Sequence, residues 1–176
     1  MLGSKKDLRV LIALANGQAA EGARAVFKEQ GADRNQIAEG KRDALELMNN
    51  TSFNLLLVED TFSDLGGVDF VRFVRMMNAP ISVAPIIFAI KDPDRNKVIE
   101  ARDAGANKMV IMPFTTAGLL KNLKDIMLNP GLFIRVTGYS GPCRRKQEVV
   151  LNRPDRRKSQ QGALSVEKQQ QLFKGV

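Results

Sequence analysis

Apolar runs and helical stripes alternate along the first 128 residues. Leu8 to Ala15 is a short run rich in branched side chains, as expected of a strand buried on both faces of a parallel sheet, and Asn16-Gly17 breaks it. From Gln18 to Gln30, Ala19, Ala23, Val26 and Phe27 recur at helical spacing, with Gly31 placed as the stop. A weak edge strand at Gln36 to Glu39 precedes a short helix, Arg42 to Asn49, carrying Ala44, Leu45, Leu47 and Met48. Phe53 to Val58 is the strongest strand pattern and must be central, since only Asn54 interrupts its apolar character. Gly67 opens a helix with Phe70, Val71, Val74 and Met77 inward, Pro85 to Ile90 reads as the next strand, Asp94 to Ala104 as the next helix, and Met109 to Ile111 as the last strand. Thr115 or Thr116 can cap a closing helix whose Leu119, Leu120, Leu123, Ile126 and Met127 form an apolar stripe. Five strand-helix units with short connections predict an α/β fold, a doubly wound five-stranded parallel sheet with helices on both faces.

Charge divides the chain differently. Of the net +8, residues 1–128 contribute +1 and residues 129–176 contribute +7, so the basic character lies in the tail. The expected organisation is one domain over 1–128 and a basic, largely irregular extension over 129–176. In the tail, Asn129-Pro130-Gly131 stops the last helix, Leu132 to Val136 suits an extended segment, and Gly138, Gly141 and Pro142 predict a loop. Ala163 to Val176 suits a short helix, although its Gln-rich composition is marginal for independent stability. No apolar run approaches the roughly 20 residues of a membrane span, and polar residues follow the first strand at once, so a cytoplasmic protein without a signal peptide is expected. One cysteine, Cys143, and no histidine exclude an internal disulfide and leave neither zinc nor histidine-based catalysis in view.

Several stretches carry a family resemblance. Ala38 to Leu47, Asn54-Leu55-Leu56-Leu57-Val58-Glu59, Gly67 eight residues after Glu59, Pro85-Ile86-Ile87, Ala104-Gly105-Ala106 and Pro113-Phe114 follow in the order and spacing of response-regulator receiver domains. Over Arg9 to Leu128 the chain resembles that CheY-like family, which implies a flavodoxin-like strand order 2-1-3-4-5 and a place in a bacterial two-component or phosphorelay pathway. The resemblance also implies where the chemistry should sit, and those positions hold inert residues. The two acidic residues that hold Mg²⁺ correspond to Leu14 and Ala15, and the aspartyl acceptor corresponds to Glu59, with Asp60 one residue late. The hydroxyl residue that senses the phosphoryl group corresponds to Ile90, the lysine to Met112, and the aromatic switch to Met109.

A non-enzymatic, degenerate receiver with no cofactor and no metal is therefore expected. The preferred reading of Glu59 and Asp60 is a solvated pair at the sheet edge, ahead of a fixed charge mimicking phosphorylation; a shifted acceptor at Asp60, with Asp64 helping to hold a metal, ranks last. A protein partner is expected on the face built by the fourth helix, fifth strand and fifth helix. In the tail, Arg144-Arg145-Lys146 and Arg153-Pro154-Asp155-Arg156-Arg157-Lys158 repeat an Arg-Arg-Lys pattern suited to clamping anions, and Tyr139 is suited to stacking a base. A solvated basic tail that docks on an acidic protein is the first expectation there, with cyclic di-GMP and nucleic acid as alternatives.

Overall fold

The computed structural model describes residues 8–63, 65–144 and 163–164. Its main sheet contains β1 (Arg9–Ala13), β2 (Arg34–Ile37), β3 (Leu55–Glu59), β4 (Ile86–Ile90) and β5 (Lys108–Ile111), all parallel, in the order β2-β1-β3-β4-β5. The helices are α1 (Gly17–Glu29), α2 (Lys41–Asn50), α3 (Gly67–Met76), α4 (Arg95–Ala104) and α5 (Thr116–Leu128), with a 3-10 turn at Pro80–Val83. The doubly wound class is the one the apolar pattern predicts, and the strand order is the one the receiver resemblance implies.

The alternation of apolar side chains explains why β3 is central. Leu56 and Val58 join Leu11, Phe88 and Phe70 on one face, while Leu55 and Leu57 join Val10, Ile12, Ile87 and Leu123 on the other. A strand buried on both faces has no polar side to give away, and β3 is buried throughout. Helix starts follow local capping: Asn16 Oδ1 accepts from Ala19 N–H at 3.0 Å, Asp94 Oδ1 from Lys97 N–H at 2.9 Å, and Thr115 Oγ1 from Gly118 N–H at 3.1 Å. Gly67 begins α3 against β3 so closely that a Cβ would overlap the Glu59 carbonyl oxygen. Any other residue would push the helix off the sheet.

Three segments depart from the sequence reading. β2 begins two residues early because its alternating exposed pattern carries little apolar signal. The loop expected at 138–142 is instead the turn and second strand of a hairpin, β6 (Phe133–Val136) with β7 (Tyr139–Pro142), in antiparallel register. Ala163–Leu164, expected to open a helix, pairs as β8 with the other edge of β6.

The hairpin packs on α3 and α4 over a buried arginine, and Arg135 of β6 donates to Ser82 Oγ at 2.7 Å. Arg75 is 2% exposed and makes five hydrogen bonds, all to neutral oxygens: two to Gly105 O (3.0 and 2.8 Å) and one each to Ser82 O (2.8 Å), Ala84 O (2.7 Å) and Asn107 Oδ1 (2.9 Å). Its guanidinium lies 5.3 Å from the ring centroid of buried Phe133 on β6. Burial without a carboxylate partner pushes its pKa down to about 9, with Arg135 lowering it further and Tyr139 opposing. Gly105 (φ +107°) and Gly141 make the approach possible, since a Cβ on Gly141 would sit 2.8 Å from Gly105 Cα.

Candidate functional site

The carboxyl-terminal edge of the sheet gathers the residues matched to phosphorylation chemistry. Glu59, the last residue of β3, is not the solvated side chain the sequence suggested: it is 3% exposed. Its carboxylate turns back toward β1, where Oε2 accepts the Ala15 N–H at 2.6 Å and Oε1 accepts the Thr61 hydroxyl at 2.9 Å. The extra methylene that makes glutamate too long as an acceptor is what lets it reach the main chain after β1. Both oxygens are thereby occupied, which removes the desolvation cost of a buried unpaired carboxylate.

Asp60 diverges from it. Its side chain is 10% exposed, Oδ2 lies 3.7 Å from Lys97 Nζ on α4 and 3.4 Å from the Lys91 N–H, and Oδ1 is buried without a partner among the described residues. The pair is thus split, one carboxylate facing β1 and the other facing α4, and neither is freely solvated. Thr61, Lys91 and Lys97 were not singled out from the sequence; only the Lys97 position in the first turn of α4, over the sheet edge, carried any signal.

Of the remaining matched positions, Leu14 and Ile90 are buried, Met109 and Met112 are half-buried against the core, and Ala15 is exposed. Leu14 and Met112 pack with the α1 and α5 face, and Ile90 and Met109 pack on the opposite side. Met112 N–H donates to Ile90 O at 2.8 Å, so the two positions that would flank a phosphoryl group hold each other through main chain alone. A Mg²⁺ ion demands near-octahedral oxygen ligation through carboxylates and water. Leu14 and Ala15 offer no side-chain oxygen, both Glu59 oxygens already accept hydrogen bonds, and Asp60 faces an ammonium group. The residues present do not fit the ion. Among the described residues no three His, Cys, Asp or Glu side chains converge as a metal site; Asp64 lies outside them.

Of the tail candidates, Arg144 alone is described. Its guanidinium stacks on the Tyr139 ring at 3.9 Å and pairs with Asp103 at 3.2 Å, and Tyr139 donates its hydroxyl to Pro142 O at 2.7 Å. One face of the ring expected to stack a base is covered by the chain's own arginine, which shares the Asp103 carboxylate with Arg102. Arg145, Lys146, Arg153, Arg156, Arg157 and Lys158 lie outside the described residues. On the expected partner face, Val98 of α4 and Ile111 of β5 are exposed apolar side chains, 39% and 60% accessible. Among the described residues no helix is long and apolar enough to cross a membrane.

No protein-family model matches the chain. The chain is 26% identical over 113 residues to a chemotaxis protein CheY of Pseudomonas aeruginosa, covering 64% of this chain and 86% of that protein. It is 24% identical over 101 residues to CheY-3 of Vibrio cholerae, covering 57% and 77%. Among solved structures, Vibrio cholerae CheY4 superposes with a TM-score of 0.63 at 22% identity over 68% of this chain and 98% of that one. A two-component response regulator from Clostridium difficile gives 0.63 at 17% over 70% and 98%. Strand order, the spacing of the matched stretches and these likenesses converge: the chain has the fold of CheY-like response-regulator receiver domains and is similar in sequence to the chemotaxis CheY proteins.

Proposed function

We propose that this receiver domain works without phosphorylation, as a non-enzymatic adaptor that recognises a protein partner through the face formed by α4, β5 and α5. The observation that carries this reading is the Glu59 carboxylate held by Ala15 N–H and Thr61 Oγ1. A receiver signals by forming a charged group at the end of β3 that draws in a hydroxyl and an ammonium; here Ile90 and Met112 stand at those positions and have no polar side-chain atom to be drawn. With no two-state element at the site, a signal has to enter through binding. Val98 and Ile111 supply apolar contacts on that face, and the Lys108 to Asp125 pair at 3.4 Å supplies a polar rim. The setting this reading requires is the bacterial cytoplasm.

The test uses the full-length protein as bait, wild type and Ile111→Glu, each with and without acetyl phosphate and Mg²⁺, with captured proteins quantified by mass spectrometry. The adaptor reading expects one set of partners that is indifferent to acetyl phosphate and depleted by Ile111→Glu. Partners recovered only after acetyl phosphate treatment would contradict it. Calorimetric heat with cyclic di-GMP, or with duplex DNA and a steep salt dependence, would instead favour an effector working through the arginine-rich tail.

A further inference from the structure

At the opposite pole of the sheet, two arginines stand side by side. Arg9 of β1 and Arg34 of β2 are register partners, so their side chains leave the same face of neighbouring parallel strands about 4.8 Å apart. Among the described residues neither guanidinium forms an ion pair, and Arg9 Nε is buried with no hydrogen-bond partner. Like charges directly opposite one another on paired strands repel, and an unsatisfied buried donor is rare enough to call for an explanation. The Arg9 main chain is fixed in place, its N–H donating to Asn54 Oδ1 at 2.8 Å and its carbonyl accepting from Asn54 N–H at 2.9 Å.

The two arginines line a cleft of about 520 Å³ between the start of β1, β2 and the end of α2. Its walls carry Gln36, Asn50, Thr51 and Ser52, whose side chains make no hydrogen bonds among the described residues. Asp33 is the single acidic residue among the lining residues, so the cleft keeps a net positive charge. We propose that this cleft binds the phosphoryl group of a small phosphorylated metabolite between Arg9 and Arg34, with the hydroxyl-bearing remainder of the ligand against the amide and hydroxyl side chains at the end of α2. A bridging dianion would satisfy Arg9 Nε and convert the repulsion into two charge-assisted contacts. The volume suits a sugar phosphate or nucleotide rather than a bare oxyanion. The site is independent of both the Glu59 pocket and the basic tail.

The experiment is an amide NMR titration of the full-length, isotope-labelled protein with inorganic phosphate and with ribose 5-phosphate at constant ionic strength, repeated for Arg34→Gln and Arg9→Gln. Arg34 is exposed, so its variant keeps the fold, and the spectrum itself reports whether Arg9→Gln does. Shifts at the amides of residues 34–36 and 50–52, with affinity falling about tenfold or more in Arg34→Gln, are expected. Tighter binding of ribose 5-phosphate identifies a phosphoester ligand, and equal affinities identify free phosphate. Shifts confined to residues 144–176, an affinity unchanged by Arg34→Gln, or no response to either compound would overturn the proposal.

Discussion

Replacing Arg75 by methionine removes the buried cation on which Phe133 of the carboxyl-terminal hairpin packs, while filling most of the same volume. Gly105 O, Ser82 O and Ala84 O lose their charged donors, whereas Asn107 Oδ1 keeps a bond from Ile86 N–H at 2.9 Å. A buried acceptor deprived of its partner costs about 1–3 kcal/mol, and loss of the Phe133 contact adds about 1–2 kcal/mol. Against this, the wild-type protein buries a cation with no carboxylate beside it, a penalty visible in the lowering of its pKa to about 9. Methionine relieves that penalty but leaves the carbonyls behind, so the balance should be destabilising by about 2–4 kcal/mol, a large share of a typical domain's stability. Urea denaturation followed by far-UV circular dichroism should show the midpoint falling by about 1–2 M. Tyr139 is the single tyrosine in a chain without tryptophan, so its emission reports the hairpin specifically. Release of the hairpin in Arg75→Met should change that emission before the domain unfolds. A midpoint within about 0.3 M of wild type, with unchanged tyrosine emission, would refute the role given to Arg75 in holding the 82–107 carbonyls and supporting the hairpin.

Gly67→Ala should destabilise the domain by more than about 3 kcal/mol in the same urea assay, since its Cβ would overlap the Glu59 carbonyl. Glu59→Gln keeps the shape but can no longer accept from both Ala15 N–H and Thr61 Oγ1, and a loss of about 1–3 kcal/mol at neutral pH is expected. Arg144→Ala breaks a partly exposed ion pair and should cost less than about 1 kcal/mol. It should nevertheless shift Tyr139 emission, because the ring loses the cation stacked on it.

The parts legible in the sequence are those that burial writes as composition. β3 and β4 are buried on both faces, so their apolar runs mark their positions, while the strand order and the spacing from Glu59 to Gly67 come from the receiver resemblance; the structure shows that spacing to be steric. β2, at the edge with alternate residues exposed, carried a diluted signal and was placed two residues late. Leu132 to Val136 is extended as its pattern predicts, but β7 reads as a loop because glycine and proline dominate 138–142; Gly141 is there for its closeness to Gly105, a contact 36 positions away that no local pattern encodes. Arg75 follows Val71 by one helical turn on the inward face of α3, yet an arginine in a helix reads as solvated unless its acceptors are known. At the candidate site, it is the resemblance to receiver domains that implies Leu14, Ala15, Ile90, Met109 and Met112 as replacements. The direction of the Glu59 side chain was not legible, because its partner is a backbone N–H, which every residue but proline has.

Incubation of the full-length protein with acetyl phosphate and Mg²⁺, followed by intact mass, tests the filled pocket most directly when run on wild type and on Glu59→Asp. Neither protein should gain a phosphate-sized mass, since shortening Glu59 frees the Ala15 N–H but restores neither a metal ligand at Leu14 nor a cation at Met112. A mass gain on wild type that disappears in Asp60→Asn would contradict the account.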